Sequence, residues 1–155
     1  MLLEEQKVEK YYPHNRSKFG RKEFRKRNSF YHIQGKNMIF SESLKKNKDF
    51  QIVYRQGKSY ANKYLIMYAL QNAGTRNRLG ISVSKKVGNS VVRHRMTRLV
   101  RESYRLNEEK FQCGFDFVVI VRPAAKEKGY AEIESALLHL GKLQNLLQTT
   151  EQERK

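Results

Sequence analysis

The stretch from Ser90 to Leu106 constrains the fold more than any other, because at helical spacing it carries two opposed stripes. At about 100° per residue, Val92, Met96, Leu99, Val100 and Ser103 fall on one side, and His94, Arg98, Arg101 and Arg105 on the other, with Arg93 and Arg95 at the edges. A helix divided in this way must lay its apolar side on another layer of structure and leave its cationic side outward. Gly88, Asn89 and Ser90 supply the turn and N-cap that begin it. The cationic stripe is costly in isolation: Arg93 and Arg95 stand near the positive end of the helix dipole, and like charges three and four residues apart repel. An external anion would reverse both penalties. Arginine suits that task because its planar fork grips a phosphate with two parallel hydrogen bonds and also stacks on a base. Glu102 is the only acid within the row, whereas an ordinary solvated helix face mixes both signs. Lys85 and Lys86, just before the turn, extend the same surface, and the backbone N–H groups of the turn can also hold a phosphate.

The layer that receives this helix is read from the flanking segments. Leu44, Phe50, Val53 and Tyr54 recur at near-helical spacing with Gly57 as a stop, which predicts a first helix over Ser43–Gln56. Tyr60–Gln71 is aromatic and apolar. After the turn signal Asn72-Ala73-Gly74, Leu79, Ile81 and Val83 alternate with Gly80, Ser82 and Ser84. The two segments predict an antiparallel hairpin, with a short extra strand at Lys58–Ala61. A further strand is predicted over Phe115–Arg122, ended by Pro123, and a last amphipathic helix over Tyr130–Leu147. Helix, strands, helix, strand, helix describes a small sheet covered by helices, an α+β or α/β sandwich.

A chain of 155 residues holds one compact domain plus tails. Its formal net charge of +17 points to a polyanionic partner. The excess is segregated: residues 1–37 carry ten basic and four acidic side chains, 38–72 six and two, 76–105 nine and one, and 106–155 seven and eight. The C-terminal third therefore reads as scaffold. Residues 1–37, basic and aromatic without apolar periodicity, read as a flexible basic extension, residues 38–148 as the compact domain and 149–155 as a tail. No stretch has the length of a transmembrane span and no secretory or lipidation signal is evident, so a cytoplasmic address is expected, without a membrane partner. The lone Cys113 excludes an internal disulfide, and His14, His32, His94 and His139 form no close-spaced metal pattern with it or with one another. Between Phe50 and Arg105 the only acid is Glu102, so the carboxylate cluster of a two-metal nuclease is not expected, nor any catalytic side chain.

The segment SKKVGNSVVRHRMTRLVRE, Ser84 to Glu102, resembles the signature of the bacterial ribonuclease P protein subunit: Ser-Lys-Lys, an apolar residue, Gly-Asn, then Arg-Asn-Arg and further basic residues. The upstream LKKNKDFQIVYRQGKSYAN and downstream FVVIVRPAA stand in that family's order and spacing, so the resemblance runs from about Leu44 to Leu147. The chain departs from the pattern at His94, the middle of the Arg-Asn-Arg triplet, and at Thr97, where the family often has lysine. The resemblance implies an α+β sandwich with three helices on a mixed sheet of about four strands, like the second domain of ribosomal protein S5. It also implies a left-handed βαβ crossover through the basic helix, where pattern alone predicts the right-handed form.

The resemblance further implies that the protein binds the large catalytic RNA subunit through the basic helix and nearby loop, here Lys85, Lys86, Asn89, Arg93, His94, Arg95, Arg98, Arg101 and Arg105. It implies binding of the 5′ leader of precursor tRNA in a cleft between the first helix and the sheet, at Phe50, Tyr54, Asn62 and Tyr68. The residues agree: Phe50 and Tyr54 are an i, i+4 pair, and a single strand can be held by stacking on such rings. Hydrolysis would then fall to the RNA with its magnesium, no cofactor being bound by the protein alone and no small molecule being its substrate. The alternatives are a ribosomal or chaperone-like RNA-binding protein, since fold does not fix function, and a DNA-binding regulator. The latter is disfavoured by the lack of Asn and Gln for reading bases on the exposed face.

Overall fold

The computed structural model of the protein describes residues 40–148; the basic extension expected at 1–37 and the tail expected at 149–155 lie outside the described residues. Among the described residues, five strands and three α-helices follow in the order β1 (Ser41–Ser43), α1 (Asn47–Gln56), β2 (Lys58–Ala61), β3 (Leu65–Gln71), β4 (Asn77–Val83), α2 (Ser90–Asn107), β5 (Phe115–Val121) and α3 (Tyr130–Leu143), with short 3-10 helices at Glu108–Lys110 and Pro123–Ala125. The strands form one mixed sheet in the order β1–β4–β5–β3–β2. It is an α+β sandwich with one strand more than the four expected, the extra one being β1.

The expected hairpin of β3 with β4 does not form. β5 lies between them, antiparallel to β3 and parallel to β4, with Leu65 opposite Val121 and Val83 also opposite Val121. The residues Asn72–Arg76 step across the start of β5, and the Asn72 backbone N–H donates to the Gly114 carbonyl at 2.8 Å. Two strand spacings, about 10 Å, are within reach of such a connection, so its length fits a skip as well as a hairpin. The true hairpin is β2–β3, with Ser59 opposite Tyr68. Its turn is closed by the Asn62 side-chain oxygen, which accepts from the backbone of Tyr64 (3.1 Å) and Leu65 (2.9 Å). The β4–α2–β5 unit is the crossover that carries the basic helix.

The sheet divides its side chains by the period of two. Leu65, Met67, Leu79, Val83, Phe117, Val119 and Val121 face α2 and α3, where they meet Met96, Val100, Tyr104, Ile133, Leu137 and Leu140. Ile66, Tyr68 and Val118 face the other way, against Leu44 and α1's Val53, with Phe50, Tyr54, Leu70 and Ile120 packed around them. The two faces therefore present α2 on one side of the molecule and α1 on the other.

Two helix boundaries differ from the sequence reading. α1 begins at Asn47 rather than Ser43, because Ser41–Ser43 is drawn into the sheet beside β4 and Leu44 N–H donates to the Leu79 carbonyl at 2.9 Å. α3 stops at Leu143 rather than Leu147: Asn145 takes a positive φ of 55°, and the chain folds back so that Leu147 bridges to Phe111. A Cβ on Gly141 would lie 2.9 Å from Leu147 Cδ2 and 3.0 Å from Phe111 Cε1, so the returning chain packs closely on this glycine.

Gly80 has a comparable role on the α1 face. A Cβ there would stand 2.5 Å from the Phe50 ring, which rests directly on the β4 backbone. Gly80→Ala should displace Phe50 and destabilise the protein by about 1–3 kcal/mol, measured as a lowered urea midpoint with an unchanged m-value. An unchanged midpoint would show that the ring can move at no cost.

Candidate nucleic-acid interface

α2 builds the first surface. Asn89, in extended conformation, caps it by accepting the Val92 N–H on its side-chain oxygen at 3.1 Å. Its apolar contacts with the sheet set the rotation: Met96, Val100, Ser103, Tyr104 and Asn107 are buried. His94, Arg98 and Arg101 consequently face solvent, with Lys85, Lys86 and Asn89 exposed at the approach to the helix. Arg93 is half-buried at the edge of the row.

Arg105 and Arg95, both members of the expected row, are tied closely to the chain itself. Arg105 is closed onto Glu102, its Nη2 2.8 Å from Oε2, and only 12% of its side chain is exposed. Its guanidinium pKa is raised further, first by the hydrogen bond to Glu102. Arg95 donates from Nη1 to the Lys126 carbonyl (3.2 Å) and from Nη2 to the Lys128 carbonyl (2.7 Å). The outward arginine face is thus narrower than the spacing suggested, because burial of Tyr104 and Asn107 turns Arg105 toward Glu102, and the loop before α3 lies alongside Arg95.

The second surface lies where α1 packs on the sheet, at the place of the expected cleft: Phe50 and Tyr54 are half-buried there and Tyr68 is buried beneath them. The rings of Phe50 and Tyr54 are 6.5 Å apart, and Tyr54 meets Tyr68 edge to face at 5.1 Å. Ser82 of β4 stands near the Tyr54 hydroxyl, and Ser59 of β2 pairs with Tyr68 across the hairpin. Asn62, expected in this cleft, is not brought to it. Its Nδ2 donates to the Ala136 carbonyl of α3 at 2.8 Å while its oxygen closes the β2–β3 turn. Both ends of the amide are spent on the fold, on the side of the sheet that α3 covers. Ser59 and Ser82 were not singled out in the sequence; their places on the α1 face follow only once the strand register is known.

Burial pushes the Tyr54 hydroxyl up to about 12, and the same cause raises the buried Tyr104 to about 12. Phenols raised above their ordinary value near 10 favour the neutral form in the folded state. The stability this contributes is complete below pH 10 and is lost as pH climbs from there toward 12. Urea midpoints measured at pH 8 and pH 11 should therefore fall, and Tyr54→Phe should lessen the drop. Equal midpoints at the two values would contradict the buried placement.

The sheet end where β4 and β5 terminate gathers further cations. Lys63, Arg122, Lys126 and Lys128 stand around the β2–β3 turn: Lys63 and Lys128 lie over the Tyr64 ring at 5.7 and 5.6 Å, and Arg122 Nη1 donates to the Asn62 carbonyl at 2.7 Å. Counting charge along the sequence missed this group, since three of its four members belong to the nearly neutral C-terminal third. At the opposite end, Arg78 bridges Asp116 (Nε to Oδ1, 2.8 Å) and α1's Asp49 (Nη1 to Oδ2, 3.2 Å), fastening α1 to the sheet. Among the described residues no group of three or more His, Cys, Asp and Glu side chains is gathered as a metal site, and no helix is long and apolar enough to cross a membrane.

Known proteins share this fold. The Ribonuclease P family pattern matches residues 38–144. The ribonuclease P protein component of Lachnoclostridium phytofermentans is 57% identical over 114 residues, covering 74% of this chain and 98% of the relative. Among solved structures, the RNase P protein of Staphylococcus aureus superposes with a TM-score of 0.64 at 36% identity, covering 68% of this chain and 97% of that one. The RNase P protein from Thermotoga maritima gives 0.60 at 33% identity, covering 63% and 93%. With the family pattern spanning the sheet and all three helices, and relatives matched over nearly their whole length, the chain belongs to the Ribonuclease P protein family.

Proposed function

We propose that this chain is the RNA-binding protein subunit of ribonuclease P, which holds the catalytic RNA on the outward face of α2 and the 5′ leader of precursor tRNA in the cleft beside α1, while the RNA cuts the chain. The observation that carries this reading is the pairing of two different surfaces on opposite faces of one sheet: a helix face bearing His94, Arg98 and Arg101, and an aromatic cluster under α1 at Phe50, Tyr54 and Tyr68, the first two half-buried. The first suits the dense phosphates of a folded RNA. The second suits a flexible single strand, whose bases can lie against aromatic edges without sequence-specific hydrogen bonds. Asn62 supports the cleft only indirectly, through the turn that sets β2 beside β3.

The carboxylates near these surfaces already have partners. Asp49 and Asp116 are held by Arg78, and Glu102 by Arg105. In this reading magnesium belongs to the RNA, where it activates water and neutralises the phosphate, and the protein raises substrate affinity by charge neutralisation and stacking. Such work on precursor tRNA is cytoplasmic. The ribosomal or chaperone-like alternative is not favoured, because the relatives carry the ribonuclease P name and match along their whole domain.

Reconstitution tests the reading. Purified protein should leave precursor tRNA intact, and the same protein with its cognate RNA subunit and magnesium should release the 5′ leader at lower salt and lower magnesium than the RNA needs alone. Cleavage by RNA-free protein, or no effect of the protein on the RNA's reaction, would overturn it.

A further inference from the structure

Arg95 sits within the Arg-His-Arg triplet, yet its guanidinium faces along the protein surface rather than outward. Its two terminal nitrogens donate to the carbonyls of Lys126 and Lys128 at 3.2 and 2.7 Å. The loop they belong to is otherwise closed largely upon itself: Ala125 N–H donates to the Arg122 carbonyl, Lys126 N–H to that of Pro123 and Lys128 N–H to that of Ala125, at 2.9, 3.1 and 2.9 Å. Ala125 is buried, and Lys128 is further steadied over the Tyr64 ring. Local turns of this kind fix the loop's shape but not its placement against the helix. Two charge-assisted bonds from one planar fork fix both carbonyls relative to α2.

We propose that Arg95 is a positioning residue for RNA binding: it pins residues 126–128 against α2 so that Lys126 and Lys128, with Glu127 the one acid between them, extend the surface of His94, Arg98 and Arg101 toward the Tyr64 edge of the sheet. The inference rests on the RNA-binding role proposed above. A guanidinium whose terminal donors are taken by two backbone carbonyls is poorly placed to chelate a phosphate, so the contribution of Arg95 passes through the lysines it holds.

The test compares Arg95→Ala and Arg95→Gln with Lys126→Ala/Lys128→Ala and with the combined variants. It uses the full chain and cognate RNA subunit, with Arg98→Ala/Arg101→Ala as control. On free protein, Arg95→Ala should raise tryptic cleavage after Lys126 and Lys128 by about tenfold, whereas the Arg98/Arg101 variant leaves it unchanged. Arg95→Gln, which keeps an amide donor but no charge, should cleave at an intermediate rate. In RNA binding, Arg95→Ala should weaken affinity several-fold in the native background and have little effect once both lysines are gone. Equal losses in the two backgrounds, or cleavage indistinguishable from the native protein, would show that Arg95 grips RNA directly and would overturn the proposal. If the Arg98/Arg101 control itself binds RNA normally, the RNA-binding reading fails instead, while the tryptic result, which needs no RNA, still reports on the loop. A variant of Arg95 that lost its native circular dichroism would be replaced by the glutamine form, whose affinity ratio in the two backgrounds decides the matter alone.

Discussion

Replacing Arg98 and Arg101 together by alanine should weaken binding to the cognate RNA subunit by about 100-fold at low salt, with little change in stability. Both side chains are exposed on the solvent side of α2, away from the buried stripe of Met96, Val100 and Tyr104 that holds the helix on the sheet. Each charge-assisted bond to a phosphate is worth about 1.5–3 kcal/mol when formed, so two of them carry about this loss even after partial compensation by neighbouring cations. Removing like charges from a crowded helix face should leave the fold equally stable or slightly more so. The salt dependence gives an independent reading, because each lost phosphate contact lowers the slope of log K against log salt by about 0.7–0.9. Titrations at several salt concentrations should therefore converge for native and variant proteins as salt rises. Parallel lines would show that the two arginines act by some means other than neutralising phosphate.

The largest expected effect on stability is at the other end of the sheet. Arg78→Met should cost about 2–4 kcal/mol and lower the Tm by roughly 10 °C or more. Asp116 is only 4% exposed and faces the Arg78 guanidinium, with Asn72 Nδ2 donating to the same oxygen at 2.8 Å. Taking away the cation leaves a buried carboxylate with one neutral donor, and it also releases Asp49 and so the first turn of α1. The cost falls below that of a wholly buried pair because Arg78 itself is 37% exposed. Arg76→Ala is the comparison: its pair with Glu42 is open to solvent on both sides, at 53% and 56% exposure, and its loss should cost less than about 1 kcal/mol. Similar melting curves for the two variants would mean that the Arg78 bridge contributes no more than a surface pair. Because Phe50 and Tyr54 ride on α1, Arg78→Met should also lower the preference for precursor over mature tRNA.

How much of this was legible beforehand depends on the kind of information each feature carries. Most elements followed from periodicity: the buried stripe of α2 and the apolar run of β5 fell where the residues implied. Neighbour relations did not. A period of two says which face a strand residue occupies, not which strand lies beside it, and so β3 and β4 looked like a hairpin although β5 separates them. β1 escaped notice because three residues, Ser41–Ser43, are too few to show a pattern, and their pairing with Asn77–Leu79 is non-local.

The site shows the same division. Exposure of His94, Arg98 and Arg101 was readable from helical angle alone, whereas the engagement of Arg95 and Arg105 depends on what happens to pack beside them. Position in the family pattern put Asn62 with the cleft aromatics, but its amide is consumed by the β2–β3 turn and the Ala136 carbonyl. The C-terminal third read as scaffold because its charges sum nearly to zero. In space residues 126–128 lie against the basic helix, their Lys126 and Lys128 carbonyls held by Arg95.

The most direct measurement is site-specific crosslinking in the assembled complex. Cys113 is exposed, so it is first replaced by serine, and a single photoreactive probe is then attached through Arg101→Cys on α2 or Ser59→Cys on the floor of the cleft. With the RNA subunit and precursor tRNA both bound, the probe on α2 should label the RNA subunit and the probe in the cleft should label the 5′ leader. Labelling of the leader from α2, or of neither RNA from either position, would contradict the assignment of two surfaces to two RNAs.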